Sequence, residues 1–280
     1  MGGPYSPTAR LGASPALPDG DAKNVLIERN ERDARAYFSD LLLGALDWTG
    51  DFGVRSGGAL NAFTLDVGAI AAVAVRDADD VLWPHAYGGG TINQTKIAGG
   101  GGTLGAVAQW WRVYAYRTVG GSLDFEIATT APNATRRLKS TDNKYRYVGC
   151  FPTDGSGAPL ALRTSNGHTV YEEPQNAASN LIATTPTLVS LAAFVPPHAR
   201  IAKVNLRTFK PNPGAPARIC VVGSTSILSA SVLTNEEGYT ESYAEVALTA
   251  SQEVSYQWVT QDPTPGEESQ LAIDVVGWIG

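Results

Sequence analysis

The 280-residue chain is 43% hydrophobic but only 17% charged, so it has the means for a large core and less charge than the roughly 25% usual in globular domains. No run approaches the roughly 18 apolar residues of a membrane-spanning helix, so no membrane insertion is expected. The net charge of −6 is uneven: no Lys or Arg follows Arg218, whereas nine acidic residues do, which excludes a nucleic-acid backbone as the partner of the C-terminal region.

Residues 1–20 hold four Pro and four Gly, with Arg10 and Asp19 the only charged groups. They lack the charged and apolar parts of a signal peptide and read as an extended arm, ordered against a neighbouring subunit or disordered. The spacing of Ala34, Phe38, Leu41 and Ala45, widened by Tyr37 and Leu42, predicts a helix over about 30–46. Asn30 is its cap and Asp33 lies in its first turn. Phe38, Leu41 and Leu42 form a stripe that either covers a sheet end or anchors the chain in an assembly.

From about Leu60 the pattern is β. Leu123, Phe125 and Ile127 alternate with polar residues, as do Ala202, Val204 and Leu206, and Val254, Tyr256 and Trp258. Apolar runs at Ala69–Val75, Val189–Val195, Ile219–Val222 and Leu271–Trp278 read as inner strands. Asn166-Gly167 is a hairpin turn of the type that needs positive φ at both central residues. The polar stretch Glu173–Asn180 reads as a domain boundary. Cys150 and Cys220 lie in apolar runs and read as buried thiols, with a disulfide left open.

Candidate chemistry is sparse. Gly100-Gly101-Gly102-Thr103-Leu104-Gly105 fits a dinucleotide-binding pattern, but the run before it is polar and the run after it alternates at period two. It reads as a flexible loop. Asp77, Asp79 and Asp80 read as a solvated turn, because no Gly and distal Glu complete a calcium loop. His85, His168 and His198 are scattered, so no catalytic residue, metal site or cofactor is expected. On the strand from Trp110 to Arg117, Trp110, Arg112, Tyr114 and Tyr116 share one face. That face is packed between layers, or it is a protein interface or a glycan-binding surface.

Two segments carry a resemblance. Lys144–Gly157, with its Arg-Tyr-Val-Gly-Cys-Phe strand and Thr-Asp-Gly-Ser-Gly turn, resembles a passage of tailed-bacteriophage virion proteins. Leu191–Arg200 and the end Ile273–Trp278 resemble a β-sandwich module of phage tail and fibre proteins. The resemblance implies a structural virion component of tail, fibre or baseplate, homo-oligomeric with a trimer preferred. Its partners would be other virion proteins, with a host surface glycan as a further candidate. A carbohydrate-binding module and a glycan-cleaving enzyme are the alternatives. The expected architecture is mainly β: an arm and helix over 1–55, a β-sandwich-like domain over 56–175 and a second over 176–280.

Overall fold

The computed structural model describes residues 50–77, 82–99, 102–133, 138–210, 218–224, 228–233, 239–261 and 268–280, all within one unit, Asp47–Gly280. The expected arm, the helix over 30–46 and the side chains Phe38, Leu41 and Leu42 lie outside the described residues.

The largest sheet has eight strands. Their order is β16 (Tyr239–Ala247), β13 (Ile201–Phe209), β18 (Gln270–Ile279), β11 (His168–Leu181), β10 (Leu162–Ser165), β1 (Phe52–Ser56), β2 (Phe63–Val67) and β5 (Gly90–Ile92). A four-stranded sheet holds β12 (Thr187–Ser190), β17 (Glu253–Trp258), β14 (Ile219–Gly223) and β15 (Leu228–Leu233). Another holds β7 (Leu123–Ala128), β6 (Trp110–Arg117), β9 (Asp142–Pro152) and β8 (Leu138–Lys139). Strands β3 (Ile70–Arg76) and β4 (Leu82–Tyr87) pair as a hairpin. The expectation of a mainly-β protein built from sandwich-like layers is met.

Alternation within the strands sorts residues between core and solvent. In the C-terminal half, Val204, Leu206, Ile273 and Val275 of one sheet and Cys220, Val222, Val254 and Trp258 of the other are shut off from solvent in one cluster. The two layers there run β16-β13-β18-β11 and β12-β17-β14-β15. Together they make the strand order of a jelly roll, eight antiparallel strands in two sheets. In the N-terminal half, Phe52 and Phe63 of the large sheet pack on the β6–β9 sheet. Phe63 and Phe151 have ring centroids 5.7 Å apart, and a Cβ on Gly149 would lie 3.0 Å from the Phe52 ring.

The two halves are joined by the large sheet itself. Within it Asn166-Gly167 joins β10 to β11, and their φ angles of 51° and 77° are both positive, as the hairpin turn requires. The stretch 173–180, expected as a boundary, lies inside β11. Its backbone pairs with β18 through several register shifts, and ladder hydrogen bonds do not depend on the polarity of the side chains. Likewise β1 falls in the segment assigned to the arm, yet it is central, pairing with β10 and β2. It was missed because five residues show too little alternation. The run Val189–Val195 is a strand only to Ser190. Beyond it Phe194 and Val195 donate backbone N–H bonds back to Leu191 O, just ahead of the Pro196-Pro197 pair, which cannot continue a ladder.

Candidate functional site

The four residues Trp110, Arg112, Tyr114 and Tyr116 do share a face of β6, on which Trp110, Arg112 and Tyr116 are half-buried. Tyr114 is fully buried. Its hydroxyl donates to Thr130 O at 2.7 Å, and its ring stands edge-on to Tyr147 at 5.9 Å. The ring of His198 in turn lies 5.8 Å from Tyr147. Trp110 donates its indole N–H to Ala192 O at 3.0 Å and meets Trp278 edge-on at 5.6 Å. Trp278 also packs on Tyr171 at 5.4 Å. Arg112 donates to the carbonyls of Trp110 and Thr129 at 2.8 and 2.6 Å.

This cluster ties the β6–β9 sheet to β11, β18 and the segment 191–199. It is a joint between layers that engages Trp110 and Tyr114 directly. Of the three readings of this face, the contacts of Trp110 and Tyr114 favour packing between layers. Tyr116 sits at its edge, its hydroxyl donating to Asp124 at 3.2 Å, and Asp124 also pairs with Lys96 at 2.6 Å. Burial pushes the Tyr114 and Tyr147 hydroxyls far above their ordinary value. Both remain protonated donors, unsuited to proton abstraction near neutral pH.

The other sequence candidates are absorbed into the frame. In the Gly-rich loop, Gly100 and Gly101 lie outside the described residues. Leu104 is buried, its N–H donating to Asn61 Oδ1 at 2.7 Å, and the chain after Gly105 enters β6. No helix N-terminus is offered to a pyrophosphate there. Asp79 and Asp80 are outside the described residues. Asp77 accepts from Trp83 Nε1 at 2.7 Å and from Arg117 at 3.4 Å. Cys150 and Cys220 are free and buried. Burial pushes their thiols up to about 11 and about 12, away from the thiolate a nucleophile needs. Among the described residues no group of three or more His, Cys, Asp or Glu is placed to hold a metal ion. No helix there is long and apolar enough to cross a membrane.

The Thr153–Gly157 turn shows why its residues are of these types. Thr153 Oγ1 donates to Val107 O at 2.7 Å. One carboxylate oxygen of Asp154 accepts from Ser156 N at 2.9 Å, Ser156 Oγ at 2.7 Å and Ala158 N at 2.9 Å. Gly157 has φ 82°, and a Cβ there would lie 2.1 Å from Gly105 O. The bond from Ser156, helped by backbone N–H groups, holds the Asp154 carboxyl below its ordinary value. A depressed carboxyl stabilises the fold above its unfolded pKa of about 3.9 and loses that effect as pH falls through the lower folded value. Asp154→Ala should cost about 1–2 kcal/mol at pH 7. In thermal melts the gap to the parent protein should close as pH drops below about 3.9; a gap unchanged at pH about 3 would contradict this role.

Tyr243 on β16 is not among the candidates the sequence offers. It is 70% exposed and stands on the outer face of the large sheet between Glu241 and Glu245. The alternation Glu241, Tyr243, Glu245 was the available signal, an aromatic on the polar side of a strand. No protein-family model matches this chain, and no curated protein matches it.

Proposed function

We propose that this chain is a structural component of a tailed-bacteriophage particle, at the tail, fibre or baseplate, working by assembly with copies of itself and with other virion proteins, without catalysis. The observation that carries this reading is the strand order of the C-terminal half, β16-β13-β18-β11 over β12-β17-β14-β15. Viral coat proteins use that jelly-roll order, as do lectins and cupins. A fold alone does not fix function. The resemblance of Lys144–Gly157, Leu191–Arg200 and Ile273–Trp278 to virion proteins selects among these uses. All three segments are frame elements of the two sandwiches, which suits a protein whose work is to hold shape. On this reading the N-terminal segment attaches the chain to the particle and the acidic C-terminal sandwich faces outward.

Three measurements test it. Light scattering on the purified chain should give a homotrimer, three times the 29.4 kDa chain mass. A monomer at every concentration would overturn self-assembly. Purified particles should bind an antibody to this chain, and a chain lacking residues 1–46 should fold yet fail to enter particles. Normal incorporation of that deletion, or of Leu41→Asp, would move attachment elsewhere.

A further inference from the structure

The outer face of the eight-stranded sheet carries charged residues in both halves of the protein, and nothing among the described residues covers its two grooves. Strand pairing sets one continuous row of residues across it. In the C-terminal half, Glu245 opposes Lys203, Lys203 opposes Gly277, and Gly277 opposes Val170. The row continues through Arg163 to Gly53, and from Gly53 to Asp66 and Thr91. Two grooves open beside this row. The one beside Gly277 has a volume of ≈ 470 Å³, with Val276 in its lining and Tyr243, Val170 and Glu172 around it. The one at Gly53 has ≈ 480 Å³, between Arg163, Arg55 and Asp66. The two glycines are three strands apart, about 14 Å, and lie on the same line.

The chemistry of this trough names its occupant. Three cations, Arg55, Arg163 and Lys203, and four anions, Asp51, Asp66, Glu172 and Glu245, line the two grooves. That near balance suits neither a polyanion nor a polycation. Charged side chains spread through both grooves are also unlike the core of a protein interface, which is depleted of charge. What remains attractive is an uncharged chain with many hydroxyls and apolar ring faces. Carboxylates accept from hydroxyls, Arg and Lys donate to them, and the exposed Tyr243 ring offers an apolar face. The grooves are open and stand on paired strands, so the surface is largely pre-formed.

We infer that the outer face of the large sheet binds a neutral glycan chain laid across the strands, one part in the Tyr243 groove and another in the Gly53 groove. This goes beyond the particle assignment and does not depend on it. The test is calorimetric titration of the full chain with maltohexaose, cellohexaose and chitohexaose, the matching disaccharides, and a heparin hexasaccharide as the charged control. At least one neutral hexasaccharide should bind, and its disaccharide about tenfold more weakly because it fills one groove. Tyr243→Ala should weaken binding about tenfold without lowering the melting temperature, since the side chain is exposed. Gly53→Val should do the same. A Cβ at Gly53 meets neighbours only at 3.6 Å and beyond, and Gly53 lines the groove, so a side chain started there occupies groove space. Binding of heparin alone, binding of no neutral hexasaccharide, or unchanged binding by both variants would each overturn the inference.

Discussion

Gly277→Ala should lower stability by at least about 4 kcal/mol, roughly 10 °C in melting temperature for a unit of this size. The backbone at Gly277 would accept alanine; the space would not. Gly277 pairs with Val170 of β11 on one side and Lys203 of β13 on the other, beside the register shift that leaves Val276 as an extra residue in β18. A Cβ there would lie 2.0 Å from Thr169 O, 2.9 Å from Thr169 C and 3.0 Å from Val170 Cα. All three atoms are backbone, so relief means parting β11 from β18 where they pair in the large sheet. Gly53→Ala is the control, because its contacts are ordinary and the change should be close to neutral. If Gly277→Ala melts within about 2 °C of the parent protein, the close approach of β18 to β11 is wrong.

Trp278→Ala should cost about 4 kcal/mol, in the range for a buried tryptophan truncated to alanine. Trp278 is 3% exposed and meets Trp110 and Tyr171 edge-on. It therefore carries both core area and the geometry that favours aromatic pairs. Because Trp110 belongs to the N-terminal β6 sheet and Trp278 to the jelly roll, the pair also couples the two halves. A double-mutant cycle with Trp110→Ala should return a coupling of about 1 kcal/mol. A coupling near zero, from denaturant melts of the four proteins, would mean that the rings touch without holding the halves together.

Much of the fold was legible in the sequence because alternation at period two is a local property. Leu123–Ile127, Ala202–Leu206 and Val254–Trp258 show which side of a strand avoids water, and each is a strand. Asn166-Gly167 needs only its own two φ angles to be a hairpin turn. What alternation cannot state is what lies against each side. Tyr114 and Tyr243 are both tyrosines on strands, yet one is fully buried and the other 70% exposed. The difference is made by neighbours from elsewhere in the chain: Thr130, Lys139 and Tyr147 close around Tyr114, and Tyr243 stands on an open sheet face. The same holds for glycine: Gly53 and Gly277 look alike in the chain, and only the tertiary neighbours decide that one position has room for a side chain and the other none. Side-chain alternation and turn residues alone mark a mainly-β chain with its turns and half-buried strands. The tertiary structure alone decided that two sandwiches share one eight-stranded sheet. Backbone pairing between distant strands depends on register and closeness in space, and neither is written in the side-chain pattern of any single segment.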